Sequence, residues 1–337
     1  MEPQQETIAC GAEFSLFVDI NQEVWSCGSN TFMQLGRDTY KFRPQKISEL
    51  QGIVAVTGGD KFGACLDSSG SIYIQGYLQG TVDYPHPTTK LGDKHLAHHL
   101  GTDAQFPVFK YINGHRCPRM MLVDDEGSAW VCGLFQNGAT LLRKLSNLPE
   151  IVSGVPTLDG RFAYFLDIGG GVWTYAMNGT SVFVQIENLP KIKQVCCSNT
   201  ETFFIDYEGY VYARGAQQAL VIPVPISHMA GGASHFIFTD NEERAWGIGE
   251  NTYGQLGVSP RDTSKLIPIH NGVKMAACGN LHSLILDGEG SVWSTGYNQQ
   301  GQLGIGESSA QYAFIKVPKL PEIVSLYHQT SVKSARK

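Results

Sequence analysis

The stretch HSLILDGEGSVWSTGYNQQGQLG, residues 282–304, contains the pattern that decides the fold. An apolar run ends at Asp287, a glycine-containing turn follows, and Trp293 stands six residues after the aspartate. Continuous apolar runs of this length are typical of strands that are buried on both faces, and Asp and Gly favour tight turns. The stretch therefore predicts a β-hairpin whose second strand carries Trp293.

The same spacing recurs seven times along the chain. The pairs of aspartate and aromatic residue are Asp19/Trp25, Asp67/Tyr73, Asp124/Trp130, Asp167/Trp173, Asp206/Tyr212, Asp240/Trp246 and Asp287/Trp293. Successive aromatic residues lie 34 to 57 positions apart, which fits one four-stranded blade of a β-propeller. Because a single blade cannot bury both of its faces, the seven blades must pack against one another. We therefore predict an all-β fold, a seven-bladed β-propeller that forms one domain over residues 1–337, with the aromatic side chains packed inward.

The composition agrees with this fold. Charged residues make up only 17% of the chain and glycine contributes 38 of 337 residues, which suits many short strands and turns. The net charge of −6 gives no overall attraction to nucleic acid or to an anionic membrane. No run of about 20 apolar residues is present, so we expect no membrane span. The polar residues 1–6 favour a cytoplasmic or nuclear location, where the eight cysteines are expected to be thiols.

Three copies of the repeat carry a longer motif after the aromatic residue. It reads NTYGQLG at residues 251–257, NQQGQLG at residues 298–304, and NTFMQLG at residues 30–36, where Met33 replaces the first glycine. In these motifs of copies 1, 6 and 7 the chain resembles the regulator of chromosome condensation repeat family. Copies 2–5 keep only the aspartate–aromatic spacing. The resemblance also implies a seven-bladed propeller, and it fits better than WD40 or kelch repeats.

The resemblance suggests two kinds of function. The best-known member of the family is a guanine-nucleotide exchange factor for the GTPase Ran that also binds chromatin, and other members are interaction platforms. We expect a monomeric propeller that binds a protein partner through one face. The alternative is an exchange factor for a small Ras-like GTPase such as Ran. Chromatin binding in the family relies on a basic N-terminal tail, which Met1–Glu6 does not supply.

One position in each copy is a candidate for contact with that partner. Five residues before each aspartate the chain enters the hairpin, so one residue from each blade should surround the mouth of the central channel. These ring residues are Phe14, Phe62, Arg119, Phe162, Glu201, His235 and His282. The family often has His here, and the resemblance implies that this face binds partners. We expect contacts above all from His235 and His282, whereas the three phenylalanines also suit loop packing.

Two further segments stand outside the regular repeat. An insertion at about residues 77–110 is either a partner-binding loop or a solvated excursion. Residues 321–327 resemble a strand that opens a copy. We predict that they close the ring by joining the blade of the N-terminal residues, the alternative being a linker toward a further domain.

The sequence shows no motif of conventional enzyme chemistry. No phosphate loop, Ser-His-Asp pattern or pair of acid–base carboxylates stands out, so we predict no catalytic residue and no cofactor. His95 and His99 share one face of a predicted helix over Asp93–Leu100, a spacing compatible with zinc. Since no third ligand is evident, we predict no metal site.

Overall fold

A computed structural model describes residues 5–38, 41–78, 86–91, 106–114, 117–133, 142–157, 159–177, 182–199, 201–215, 222, 224–261 and 263–324. Its strands, in chain order, are β1 (Ile8–Cys10), β2 (Phe14–Val18), β3 (Val24–Gly28), β4 (Lys41–Lys46), β5 (Ile53–Gly58), β6 (Phe62–Asp67), β7 (Ile72–Gly76), β8 (His86–Lys90), β9 (Phe109–Asn113), β10 (Met120–Asp124), β11 (Ala129–Cys132), β12 (Leu142–Lys144), β13 (Ile151–Pro156), β14 (Phe162–Asp167), β15 (Val172–Ala176), β16 (Phe183–Gln185), β17 (Ile192–Cys197), β18 (Thr202–Asp206), β19 (Val211–Ala213), β20 (Ile226–Gly231), β21 (His235–Asp240), β22 (Ala245–Gly249), β23 (Thr263–His270), β24 (Val273–Cys278), β25 (His282–Asp287), β26 (Val292–Gly296) and β27 (Gln311–Lys316).

The strands form seven antiparallel sheets, which are the predicted seven blades. Blade 1 is β1–β4, blade 2 is β5–β8, blade 3 is β9–β12, blade 4 is β13–β16, blade 5 is β17–β19, blade 6 is β20–β23 and blade 7 is β24–β27. Within each blade the strands are hydrogen-bonded in chain order, from the inner strand outward. The structure thus confirms the all-β, seven-bladed propeller. In the part of the chain that is described, no helix has the length and apolar character needed to cross a membrane.

The core is divided among the seven interfaces between neighbouring blades. One apolar cluster lies at each interface; Phe62 of blade 2, for example, packs with Met120 of blade 3. Ile8 of blade 1 packs with Met275 of blade 7, so the first and last blades share a cluster as any other pair does. Each blade therefore buries its apolar faces only against its two neighbours.

The aspartate–aromatic spacing corresponds to one hydrogen bond in every blade. In all seven copies the aspartate Oδ2 accepts a hydrogen bond from the Trp indole or Tyr hydroxyl, over 2.8 to 3.2 Å. Asp287 Oδ1 also accepts hydrogen bonds from the Glu289 and Ser291 amides and so holds the turn. The aromatic side chains are all half-buried, and each packs on the apolar cluster of one interface between blades. The prediction that they pack inward is therefore confirmed. Trp293 packs on the cluster shared with blade 6, and the neighbouring Val292 lies in the cluster shared with blade 1.

The inner strand of blade 1 is built from both ends of the described chain. In blade 2 the inner strand begins with Ile53 opposite Asp67, and in blade 1 the corresponding residue opposite Asp19 is Ile323. The Thr7 hydroxyl donates a hydrogen bond to the Val324 carbonyl over 2.5 Å. The C-terminal residues Ile323 and Val324 therefore form the first part of the inner strand of blade 1, and β1 forms the rest of it. Residues 325–327 of the predicted closing strand lie outside the described residues.

Parts of the predicted insertion belong to regular blades. His86–Lys90 forms the outer strand of blade 2 and pairs with β7, and Phe109 opens blade 3. The sequence HPTTK does not predict this strand because it has no apolar alternation. Residues 79–85 and 92–105 lie outside the described residues, and so does the predicted helix with His95 and His99.

Candidate partner-binding face

Every blade has two ends. The hairpin turns that begin at the seven aspartates lie at one end, which we call the turn face. At the other end, which we call the ring face, the first strand connects to the second and the third to the fourth. The ring residues lie there, at the start of the second strand or directly before it.

The Gly-Gln-Leu-Gly loops are buried structural elements of the ring face. In blade 7 the Asn298 Oδ1 accepts a hydrogen bond from the Leu303 amide over 3.0 Å, and its Nδ2 donates to the Glu307 carbonyl over 2.8 Å. Asn251 accepts from the Leu256 amide in the same way in blade 6. Because these amide side chains satisfy backbone groups of their own loop, the motif fixes the loop rather than presenting side chains to a partner.

The two ring histidines tie neighbouring blades together. His282 Nε2 of blade 7 lies 3.2 Å from Ser15 Oγ of blade 1, and this hydroxyl donates to the Gln302 carbonyl over 2.7 Å. His235 Nε2 of blade 6 lies 2.8 Å from Ser283 Oγ of blade 7, which donates to the Gln255 carbonyl. Since each serine proton is committed to a carbonyl, the imidazole Nε2–H is the donor to the hydroxyl. Blades 6, 7 and 1 are thereby joined by two side-chain bridges.

This placement differs from the expected contact role of the ring. His235, His282, Phe14 and Phe62 are all completely buried, so they do not present side chains to a partner in this conformation. Each packs on a glycine three residues earlier; a Cβ on Gly279 would lie only 2.1 Å from the His282 ring. The Gly-x-x-His or Gly-x-x-Phe pattern is the sequence signal for this burial, because only glycine leaves room for the ring.

The ring residues of blades 3, 4 and 5 reach the surface instead. Arg119 and Phe162 are half-buried and Glu201 is exposed. Arg119 Nη1 donates a hydrogen bond to the Gly160 carbonyl, and the Arg214 guanidinium lies 5.3 Å from the centroid of the Phe162 ring. These three blades therefore carry the exposed part of the ring.

A groove of about 490 Å³ lies in this exposed part, between blades 3 and 4. Pro118 and Arg119 line one side, and Arg161, Phe162 and Met177 line the other. The Arg161 side chain is 80% exposed, and Arg214 is exposed beside Phe162. No repeat motif marks these two arginines in the sequence, although Arg161 directly precedes a ring residue. Arginine and aromatic side chains that are held in place are the residues that most often dominate protein–protein interfaces.

The remaining chemistry gives no sign of a nucleophile or a metal centre in the described residues. All eight cysteines are buried and outside disulfides, in agreement with the expected thiols. Burial raises the pKa of Cys27 and of Cys132 to about 12, so both are protonated and unreactive at neutral pH. No cluster of three or more His, Cys, Asp or Glu side chains suited to a metal ion is present in the same residues.

The fold and the ring face together define a class: a seven-bladed β-propeller in which blades 6, 7 and 1 carry sealed loops, by which we mean loops that begin with Asn and end in Gln-Leu-Gly. The chain contains repeats of the regulator of chromosome condensation (RCC1) family. One model of this repeat matches residues 21–66 and 242–286, and a second matches residues 6–34 and 273–302. The matched residues fall in blades 6, 7 and 1 and the first half of blade 2, which include all three blades with sealed loops. This confirms the resemblance read from the motifs.

Curated relatives agree with this family. The human protein named regulator of chromosome condensation is 23% identical over 288 residues, covering 76% of this chain and 63% of its own length. The Xenopus laevis protein of the same name is 23% identical over 290 residues, with 77% and 63% covered. The chain thus spans less than two thirds of these relatives.

Solved structures are similar in fold. Prp20p from Saccharomyces cerevisiae, studied for its binding to Gsp1p and histones, has a TM-score of 0.74 at 13% identity, with 95% of this chain and 88% of that chain covered. The ectodomain of the Arabidopsis thaliana receptor kinase ACR4 has a TM-score of 0.59 at 15% identity, with 91% and 97% covered. At these identities the likeness shows a shared fold.

Proposed function

We propose that this chain is a protein-interaction propeller that binds its partner through the ring face of blades 3, 4 and 5. The observation that carries the proposal is the division of the ring: four ring residues are buried between blades, and Arg119, Phe162 and Glu201 are accessible. A partner that docks on this face meets anchored arginines and an aromatic ring beside a groove.

Preorganisation favours binding at this place. Arg119 is held by the Gly160 carbonyl, and Arg214 is held over Phe162 and Tyr164. Side chains that are already ordered lose less conformational entropy on association than free ones.

Arg119, Arg161 and Asp159 line the groove, and Asp159 lies 3.7 Å from Arg161. The Arg214 guanidinium lies beside the groove, over Phe162. The positive charge that Asp159 leaves unbalanced, on a chain of net charge −6, favours a partner with an acidic surface.

Charge reversal at this face tests the proposal. The variant Arg161→Glu with Arg214→Glu changes two exposed side chains. Its matched control, Lys191→Glu with Lys319→Glu, changes two exposed lysines between blades on the turn face. Both variants are compared with the unchanged chain by quantitative affinity capture and cross-linking. We expect the ring-face variant to lose captured partners by at least about tenfold and the control to keep them. Partners kept by the ring-face variant and lost by the control would contradict the proposal.

Nucleotide exchange on a small Ras-like GTPase is the second candidate. It is favoured by the curated relatives, which are regulators of chromosome condensation, and by the reported binding of Prp20p to Gsp1p. Exchange would not need an acid–base site in the propeller, since an exchange factor acts by displacing the nucleotide and its Mg²⁺ from the GTPase.

Release of a fluorescent GDP analogue from a panel of small GTPases, including Ran, separates the two candidates. Acceleration at catalytic amounts of the propeller supports exchange activity. Stoichiometric binding of a GTPase without acceleration supports the interaction platform. If Arg161→Glu with Arg214→Glu abolishes either effect, the ring face of blades 3–5 is the surface used.

A further inference from the structure

Two pairs of aromatic side chains occupy corresponding places on the ring face. Phe32 and Tyr253 are the third residues of the sealed loops of blades 1 and 6. Tyr77 and Tyr297 directly follow the third strands of the next blades, 2 and 7. The ring centroids lie 6.4 Å apart in the pair of blades 1 and 2, and 5.2 Å apart in the pair of blades 6 and 7. Each pair therefore joins a sealed loop to the following blade.

The backbone holds both pairs in the same way. In each loop the amide of the aromatic residue donates to the side-chain oxygen of the glutamine two positions later, over 2.8 Å in blade 1 and 3.0 Å in blade 6. In the following blade the Tyr77 amide donates to the Lys61 carbonyl over 2.9 Å. The Tyr297 amide donates to the Leu281 carbonyl over 2.8 Å. Lys61 and Leu281 therefore hold equivalent positions, each directly before a ring residue.

The two equivalent positions differ in charge. The Lys61 ammonium lies 4.7 Å from the centroid of the Phe32 ring, within the distance of about 6 Å at which a cation is attracted to the face of an aromatic ring. Leu281 offers no charge to the other pair. In the described part of the chain no lysine or arginine lies over the Tyr253 or Tyr297 ring. The first pair is thus occupied by a lysine of the chain itself, and the second pair is not.

The geometry of the second pair suits a cation. The planes of the Tyr253 and Tyr297 rings meet at 75°, so the faces of the two aromatic rings form the walls of a corner. Tyr253 is 37% exposed, which leaves the pair accessible from the ring face. The Tyr297 hydroxyl donates to Gln299 Oε1 over 2.7 Å. An ammonium group in the corner meets the negative faces of both aromatic rings.

A carboxylate lies on the blade 1 side of this pair. Glu13 directly precedes the ring residue of blade 1, and the carbonyl of the preceding Ala12 accepts a hydrogen bond from the Asn280 amide of blade 7 over 3.2 Å. Burial raises the pKa of Tyr297 most, and the negative charge of Glu13 raises it further. The Glu13 side chain is exposed and therefore adds a negative potential beside the tyrosine pair, which attracts a cation.

We propose that Tyr253, Tyr297 and Glu13 form a binding site for a lysine side chain of a partner protein. The ammonium of the partner takes the place beside the tyrosine pair that Lys61 takes beside Phe32 in blades 1 and 2. The repeat itself thus shows which group this part of the ring face accepts. The site lies on blades 6, 7 and 1, so it is separate from the groove between blades 3 and 4 and does not depend on it.

Fluorescence anisotropy of the full chain with a labelled peptide tests the proposal. The probe is a glycine-rich peptide with lysine at every third position, and two comparison peptides carry acetyl-lysine or norleucine in place of lysine. We expect saturable binding of the lysine peptide at physiological ionic strength. The comparison peptides should bind more weakly by about tenfold or more, because they lack the charge that the aromatic faces and Glu13 attract. Absence of saturable binding of the lysine peptide up to millimolar concentration overturns the proposal, as does equal binding of the norleucine peptide.

A variant that fills the site from within locates the bound peptide. Leu281→Lys supplies the tyrosine pair with a lysine of the chain itself, and we expect it to weaken binding of the lysine peptide by about tenfold or more. Tyr253→Leu with Tyr297→Leu should have the same effect. Ser234→Lys is the matched control, because it adds the same charge directly before the ring residue of blade 6, next to blade 5, which has no sealed loop.

The outcomes of these variants are read on proteins whose melting curves show a folded state. Unchanged affinity in Leu281→Lys places the peptide elsewhere, and an equal loss in Ser234→Lys shows a response to net charge alone; either result overturns the proposal. Sedimentation checks the oligomeric state. A dimer of the unchanged chain that Leu281→Lys dissociates would assign the site to a second copy of the chain and overturn the proposal of a partner protein.

Discussion

Blades 6, 7 and 1 and blades 3, 4 and 5 share one hairpin design but use the ring position in opposite ways. In both groups an aspartate side chain holds the turn and bonds to the aromatic residue six positions later. In the first group His282 is buried and bonds to Ser15 of the next blade. In the second group Glu201 holds the same repeat position and is exposed.

The difference lies in what surrounds the ring position, both in its own blade and in the next one. His282 needs Gly279 beneath its ring and the Ser15 hydroxyl, which is itself held by a carbonyl of the Gly-Gln-Leu-Gly loop. Where the loop and the glycine are missing, the position is open to solvent and to a partner. The repeat position alone therefore does not determine whether a residue joins blades or forms a surface.

The largest expected effect comes from breaking the junction between blades 7 and 1. Deletion of residues 322–337 removes Ile323, which is buried opposite Asp19, and the Thr7–Val324 hydrogen bond. We expect a loss of about 3–5 kcal/mol in the free energy of unfolding and stronger aggregation, because a sheet edge becomes exposed. Deletion of residues 325–337 is the control. An unchanged melting temperature after the longer deletion would refute the closing strand and favour a linker.

Substitution at the ring position itself comes next. His282→Ala leaves a cavity and removes the bridge to Ser15, so we expect a loss of about 2–3 kcal/mol in urea unfolding. Glu201→Ala, at the same position of blade 5, changes an exposed side chain and should cost less than about 0.5 kcal/mol. Equal losses in the two variants would show that the two groups of blades do not differ as described.

A pH effect is expected at the blade 1 junction, where burial raises the pKa of Glu6 from 4.5 to about 7. The folded protein then keeps the Glu6 proton up to a higher pH than the unfolded chain. The contribution of the Glu6 carboxyl to the free energy of unfolding is fully present below about pH 4.5 and is lost as the pH rises toward 7. We expect a loss of about 1–2 kcal/mol across this window, reduced from the full shift because Glu6 is only half-buried. Urea unfolding of Glu6→Gln should lack this part of the pH dependence; identical profiles for both proteins would contradict the assignment.

The smallest effect comes from transferring the bridge to the interface between blades 1 and 2. Phe14→His and Gly63→Ser place the two bridge residues at the positions that correspond to His282 and Ser15. A Cβ on Gly63 would lie 3.3 Å from the Gln34 carbonyl, which corresponds to the carbonyl that accepts from Ser15. Each single substitution should destabilise the fold, and the double variant should lose less than the sum, with a coupling of about 0.5–1 kcal/mol. Additive losses in the double-mutant cycle would mean that the bridge needs more of the sealed loop than these two residues.

The fold could be predicted from the sequence because the patterns that specify it are local. The six-residue spacing reflects a hydrogen bond within one hairpin, for example Trp293 to Asp287, so every copy had to keep it. The outer strand His86–Lys90 was missed because it is held mainly by backbone pairing with β7 and has no apolar pattern. The inward packing of the aromatic residues was predicted correctly, but the spacing does not reveal which neighbouring blade each ring meets, and Trp293 packs on the cluster shared with blade 6.

The sequence by itself determined the number of blades, the hairpin turns and the three sealed loops, since each depends on residues within one repeat. Only the tertiary structure decided which ring residues are accessible, because His235 and Phe162 differ through contacts with glycines and with neighbouring blades. It also decided that Thr7 and Val324 meet in blade 1. Residues that are this far apart in the chain meet only when the ring closes, and no local pattern encodes that meeting.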